Sequence, residues 1–348
     1  MEYRLLGRSG LMVSAYSFGA MTFGGGGMFD NIGTTQVADA KRQIGLCLDA
    51  GVNLFDTADV YSNGRSEEIL GEALGKQRHQ VLIATKAFGT MGDGPNDLGL
   101  SRHHITVACE ASLKRLGTDY IDLYQVHNFD GIAPVEETLR ALDDLVRAGK
   151  VRYIGSSNHT GWQLMKAASI AELKNLTAYV SQQIQYSLLH REAEFELLPA
   201  GLDRGVGALL WSPLAQGYLT GKFRSGAQES TRLVANAALE QTDDAVARRV
   251  LESLESVASH YPNASMAQCA LNYLRRKAGV SSIIVGARTD EQLMDNLAAA
   301  TWSMADEDVA RLDEASAVPL PYPYSHQATY GRGRNRKPGL LPIPEDQA

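Results

Sequence analysis

No apolar run in the chain approaches the roughly 18 residues that a membrane-spanning helix needs, and the opening "MEYRLLGRSG" lacks the apolar core of a signal peptide. Cysteine is scarce. Cys47, Cys109 and Cys269 are odd in number, far apart and set among apolar residues, which argues against a disulfide framework and for buried thiols in a reducing compartment. Excess positive charge is missing too: 33 Lys and Arg against 40 Asp and Glu leave a formal net charge of −7 over 348 residues. The basic residues are scattered except near the C-terminus, so neither nucleic acid nor an anionic membrane is expected as the main partner. A cytoplasmic protein with a small-molecule partner is the expectation. Strand-end clusters of His and Asp are also lacking, since His103-His104 open a helical pattern, and no metal site is expected.

What is present is a structural repeat. Five segments, "LDAGVNLFD", "KRLGTDYIDLYQVH", "RAGKVRYIGSSN", "DRGVGALLWSP" and "RKAGVSSIIVGA", each end a helix-like stretch at glycine and pass at once into an apolar run. Glycine just past a helix accepts the left-handed conformation at little steric cost. The nearly continuous apolar runs fit strands buried on both faces of a parallel sheet. With "AYSFGAM", "QVLIATK" and "YVSQQIQYS", eight strands are expected to begin near 15, 53, 80, 120, 151, 179, 206 and 281. Between them lie helical stripes, such as Ile105, Cys109, Leu113 and Leu116, and Val135, Leu139, Leu142 and Val146 behind Pro134. Eight alternating units predict a single α/β domain, a (β/α)8 TIM barrel over 1–348 with its core in about 1–318. An opening hairpin turning at Arg8-Ser9-Gly10 plugs the barrel bottom in this reading. A long loop follows strand seven, where 214–245 lack periodicity. A mobile tail, 319–348, carries the basic "RGRNRK".

In a parallel barrel the chemistry sits at the C-terminal ends of the strands. The polar residues there are Asp56, Lys86, His127, Ser157, Asn158 and, within strand six, Gln183, with Tyr61 in the loop after Asp56. Each has a plainer reading: a helix cap for Asp56 (although Ser66, followed by Glu67, Glu68 and Glu72, reads as the better cap), rim packing for Tyr61, a snorkelling Lys86 and a hydrogen-bonded rim histidine at 127. Together they form a proton-donating unit. A tyrosine of ordinary pKa, about 10, needs a nearby cation to release its proton near neutrality. Lys86 is that cation, Asp56 holds it, and neutral His127 donates to a substrate oxygen, which suits hydride addition to a carbonyl.

The runs "NLFDTADVY", "ATK" and "YIDLYQVHNFD", in this order and spacing, resemble the aldo-keto reductase superfamily, especially its aryl-alcohol-dehydrogenase-like and potassium-channel-β-subunit-like branch. The likeness runs from "LLGRSGLMVSAYSFGAMTFG" to "VGARTDEQLMDN". It implies a catalytic tetrad of Tyr61, Lys86, Asp56 and His127 and a nicotinamide cofactor bound in extended form without a Rossmann domain. The run "FGGGG" at 23–27 is then a loop beside the pocket rather than a dinucleotide fingerprint. By the same resemblance Ser157, Asn158 and Gln183 hold the carboxamide and Trp211 stacks on the nicotinamide ring. Ser212, Leu214, Gly217 and Lys222 take the pyrophosphate, and Gly286, Arg288, Gln292 and Asn296 the adenosine end. Arg288 would meet a 2′-phosphate, making NADPH the expected cofactor and NADH the alternative, because Gly286-Ala287 and Gln292 depart from the better-known Lys-Ser pair and later arginine. Phe23, Met28, Phe29, Phe88, Met91, Phe129 and "PLPYPY" would line a pocket for an apolar or aryl carbonyl or alcohol. A redox-sensing accessory subunit with little turnover is the alternative function.

Overall fold

The computed structural model describes residues 1–26, 29–30, 32–222 and 244–330. A hairpin of β1 (Tyr3–Leu5) and β2 (Met12–Ser14) comes first. Eight strands then close on themselves: β3 (Tyr16–Gly19), β4 (Leu54–Asp56), β5 (Leu82–Ala87), β6 (Ile121–Val126), β7 (Val151–Ser157), β8 (Ser181–Gln185), β9 (Gly207–Trp211) and β10 (Val280–Val285). Every neighbouring pair is parallel, including β10 with β3. All eight begin within two residues of the starts read from the sequence. The five glycines that signalled helix ends, Gly51, Gly117, Gly149, Gly205 and Gly279, all take positive φ, the conformation that a side chain would strain.

Helices cover the outside of the barrel. They are α1 (Val37–Asp49), α2 (Arg65–Leu74), α3 (Arg102–Leu116), α4 (Val135–Arg147), α5 (Gly161–Lys174) and α6 (Leu197–Arg204), one after each of β3 to β8. Between β9 and β10 stand α7 (Asp244–Ala258) and α8 (Met266–Arg275); α9 (Asp290–Ala298) and α10 (Asp306–Ala315) follow β10. Residues 223–243 of the long excursion lie outside the described residues. So does the basic cluster at 332–337, but the start of the tail is described: α11 (Tyr324–Tyr330) stacks Tyr324 on Phe195 at 5.4 Å and bonds it to Glu196 at 3.1 Å. Among the described residues no helix is long and apolar enough to cross a membrane. The three thiols are buried and unpaired, and burial pushes Cys109 and Cys269 up to about 12.

Successive side chains of a strand face opposite ways, so residues two apart share the barrel interior. Leu54, Ala84, Leu123, Leu209 and Ile284 form its lowest layer, and the hairpin closes them off from below with Leu6 and Val13. The hairpin is tied to the last strand: Arg4 Nη1 donates to the Val280 carbonyl at 2.9 Å, Ser281 Oγ to that of Leu5 at 3.0 Å and Ser282 Oγ to that of Ser14 at 2.7 Å. Two residues above Leu54, Ala84 and Leu123 the same inward face carries Asp56, Lys86 and Gln125. An apolar floor thus lies directly beneath a layer of polar and charged side chains.

Candidate active site

Lys86, at the end of β5, is fully buried. Burying an ammonium is costly unless it is paired and hydrogen-bonded. Its Nζ donates to Asp56 Oδ2 at 2.6 Å, to the Thr57 carbonyl at 2.8 Å and to Tyr61 Oη at 3.4 Å. Burial, the largest single influence, works to lower its pKa, but Asp56 and Tyr61 together outweigh it and hold the group above the ordinary lysine range, so Lys86 is a cation. Asp56 is fixed in turn on its other oxygen, which accepts from Gln183 Nε2 at 2.8 Å and Gln125 Nε2 at 3.3 Å.

Tyr61 stands over this pair at the start of a short turn, half-buried, with the Lys86 ammonium 5.0 Å from its ring centre. His127, just past β6, meets the Tyr61 ring edge to face at 5.7 Å. Burial and, second, the Lys86 charge push His127 down to about 3, so its imidazole is neutral across the physiological range and carries one N–H to donate. Three consecutive strands therefore bring the four predicted side chains to one place. That place holds a phenol, a cation to stabilise its anion, and a neutral donor beside it.

The strand ends further round the barrel form a chain of contacts. Ser157 Oγ donates to the Gln183 carbonyl at 3.0 Å. Asn158, in a left-handed conformation, donates through Nδ2 to the His127 carbonyl at 3.0 Å and accepts from Trp211 Nε1 at 3.1 Å. Beyond Trp211 the backbone turns left-handed at Ser212 and again through Ala215, Gln216 and Gly217, and Ser212 Oγ accepts from the Gln216 N–H at 3.2 Å. A Cβ on Gly217 would lie 2.8 Å from Lys222 Nζ, so glycine lets the lysine head close over this turn. After β10, Gln292 Oε1 accepts from the Arg288 N–H at 3.1 Å, and Asn296 Nδ2 donates to Gly286 at 3.5 Å.

A model of the aldo/keto reductase family matches residues 16–317, which include every barrel strand. The chain belongs to the aldo/keto reductase family. It is 41% identical to a "Probable voltage-gated potassium channel subunit beta" of Oryza sativa subsp. japonica over 86% of this chain and 91% of that one. To the "Uncharacterized oxidoreductase YrpG" of Bacillus subtilis it is 40% identical, over 90% and 94%. To "Aldo-keto reductase AMT2" of Alternaria alternata it is 34% identical, over 93% and 94%.

Some sequence-predicted residues of this aldo/keto reductase sit differently from expectation. Ser66 does not cap α2: its hydroxyl donates to the Ala20 carbonyl at 2.7 Å and meets Thr57 Oγ1 at 2.9 Å, and left-handed Gly64 precedes the helix instead. Glu67 faces inward, bonded to Thr85 Oγ1 at 2.5 Å and Arg115 Nε at 2.6 Å, rather than lying free in the first turn. The start of α9 carries Asp290 and Glu291 in its first turn, with Asp290 paired to Arg42, so two acids stand beside the expected adenosine end. Among the proposed pocket residues, Phe29 packs against Tyr61 at 5.8 Å, but Phe23 is wholly in the core on Phe18 at 5.5 Å. Phe129 packs on His159 at 5.4 Å and Trp162 at 5.7 Å, within its own side of the rim. Phe88 and Met91 are half-buried, and Met28 lies outside the described residues. Of the glycine run, Gly25 donates its N–H to Ser62 Oγ at 3.0 Å, next door to Tyr61.

Gln125 was not anticipated, and it is one of the groups that fix Asp56. The signal was its place two residues before His127 on the same strand face. Gly155 makes room for it: a Cβ there would come within 3.2 Å of Gln125 Cγ and 2.3 Å of Ser181 Oγ.

Proposed function

We propose that this oxidoreductase reduces an aldehyde or ketone to the alcohol with NADPH, and runs the reverse oxidation through the same residues. The observation that carries the reading is the buried Lys86 ammonium, held by Asp56 and within 3.4 Å of the Tyr61 hydroxyl. A bound nicotinamide would supply the hydride. Tyr61 then gives its proton to the carbonyl oxygen as negative charge develops there, and Lys86 stabilises the phenolate left behind. Neutral His127 orients the same oxygen by donating its N–H. Asp56, itself clamped by Gln125 and Gln183, keeps Lys86 charged and in place.

The residues present suit the cofactor. The left-handed run at Ala215, Gln216 and Gly217 folds its own amides onto Ser212 and Leu214 and gathers the Ser212 hydroxyl and the Lys222 ammonium around the turn, a hydroxyl and a cation that suit phosphate. Together with Ser212, Leu214 and Lys222 it would hold the pyrophosphate. Ser157, Asn158 and Gln183 would hold the carboxamide against Trp211, and Gly286, Arg288, Gln292 and Asn296 the adenosine end. Arg288 would favour NADPH over NADH. An apolar or aryl carbonyl would meet the ring of Phe29, which packs on Tyr61 at 5.8 Å, with Phe88 and Phe129 as further lining.

The test is consumption of NADPH by purified protein with an aromatic aldehyde, together with a change in NADPH fluorescence on binding. Absence of cofactor binding at micromolar protein overturns the proposal. A second reading is favoured by the name that several relatives share, a voltage-gated potassium channel subunit beta. In that case the chain binds the cofactor tightly as an accessory subunit and turns over negligibly with every carbonyl tried.

A further inference from the structure

Between Asp56 and Tyr61 lies a second acid, Asp59, which the reaction outlined above does not use. Its backbone N–H donates to the Lys86 carbonyl at 3.1 Å, which ties it to the strand that carries the catalytic cation. The side chain is completely buried. Oδ1 accepts from the Val60 N–H at 2.6 Å, while Oδ2 is buried with no hydrogen-bond partner. An ionised carboxylate left in that state would forgo most of its solvation.

The charges around it decide the matter. Lys86 of β5, Glu67 of α2 and Arg115 of α3 are the charged groups that bear on Asp59. Tyr124 of β6 faces the same region, but its hydroxyl turns to the Ile105 carbonyl at 3.4 Å and burial keeps it neutral. Lys86 is matched by Asp56 at 2.6 Å and Arg115 by Glu67 at 2.6 Å. Two cations are thus already neutralised by two carboxylates, and a third charge at Asp59 would be unmatched. We propose that Asp59 stands as a neutral carboxylic acid in the working enzyme and acts as a positioning residue, sparing the Lys86–Tyr61 pair a second negative charge. Burial and, next, the Glu67 carboxylate push Asp59 up to about 7, against the pull of the Val60 N–H, Arg115 and Lys86. When Asp59 ionises at higher pH, its charge opposes formation of the Tyr61 phenolate, and proton transfer to substrate slows.

The catalytic half rests on the carbonyl-reductase reading, so the first measurement avoids it. Infrared difference spectra of the cofactor-free protein between about pH 5 and about pH 9 should contain the carbonyl band of a buried carboxylic acid that titrates near neutrality. That band should be missing from Asp59→Asn, whose amide oxygen still accepts from Val60. In Glu67→Gln it should persist with its midpoint moved to lower pH, which keeps the idea testable if Asp59→Asn folds poorly. Identical titrating bands in wild type and Asp59→Asn overturn the proposal, as does an unmoved midpoint in Glu67→Gln. Carbonyl reduction by Asp59→Asn should then hold its rate about one pH unit further into alkali than wild type. An unmoved alkaline limb overturns the positioning role. A protein with the band but without any turnover refutes the reductase reading and leaves the neutral acid in place.

Discussion

Replacing Tyr61 by phenylalanine removes one oxygen from a ring that otherwise keeps its contacts with Phe29 and His127. The expected result is a fall in kcat of about 10²- to 10⁴-fold, the usual worth of a positioned general acid, with the Kd for NADPH unchanged. Steady-state kinetics and fluorescence titration of the same preparation check both halves. Unaltered turnover removes Tyr61 from the role. Arg288→Ala should weaken NADPH binding by about 10-fold or more while leaving NADH binding within about twofold, since one charge-assisted contact is worth about 1.5–3 kcal/mol. Equal losses for the two cofactors refute a 2′-phosphate contact. At this scale the sequence located the strand-end side chains but not their supports. Asp56, Lys86 and His127 could be placed because they end apolar strands. Gln125, whose amide steadies Asp56, lies inside such a run and reads as one more strand residue until the barrel closes. Ser66 read as a cap because of the glutamates after it. Only the tertiary fold brings the Ala20 carbonyl within reach of its hydroxyl.

Among elements, α2 comes close to the end of α3 at Gly71. A Cβ on Gly71 would lie 2.4 Å from the Leu116 carbonyl oxygen and 2.9 Å from its Cα, both backbone atoms with little freedom to yield. Gly71→Ala should therefore cost about 1–3 kcal/mol in denaturant unfolding, the usual penalty for overpacking. Gly45→Ala, in the middle of α1 with open space where its Cβ would go, should stabilise by about 0.5–1 kcal/mol through helix propensity alone. A comparison of the two unfolding midpoints checks the contrast. Opposite signs for one chemical change would show that neighbours decide the outcome, whereas equal effects would contradict the close α2–α3 approach. Helix and strand positions were legible because the glycine ends and apolar stripes are local properties of the chain. The spacing between α2 and α3 is not local, and neither glycine advertised its role.

For the molecule as a whole, four buried or half-buried histidines govern the response to acid. His104, His127, His159 and His190 are all pushed below the ordinary histidine range, mainly by burial. A group with a lowered folded pKa binds protons more readily when unfolded, so the stability it lends is present above its unfolded value, about 6.5, and is lost as pH falls through the folded one. Asp59 and Asp122, both raised mainly by burial, work in the opposite sense, Asp59 losing its ionisation penalty as pH falls below about 7, but they are two groups against four. Thermal unfolding should therefore shift to lower temperature as pH drops from about 6.5 toward 4, well before the paired carboxylates of Glu194 and Asp313, which are held below their usual range, are protonated. Constant Tm across that interval would mean that the buried imidazoles open to solvent.

The hairpin that seals the barrel floor also sets the order in which the fold can be completed. Residues 3–14 leave the ribosome well before residues 280–282, yet the partners of Arg4, Leu5 and Ser14 are Val280, Ser281 and Ser282. Until those late residues emerge, Leu6 and Val13 have only part of their floor to rest on and β3 lacks one of its two neighbouring strands. Closure therefore waits until residues 280–282 are made, and the long separation of these contacts makes it a slow step. During synthesis the nascent barrel is an open sheet with β3 as one edge, and that edge is the one a chaperone would need to guard.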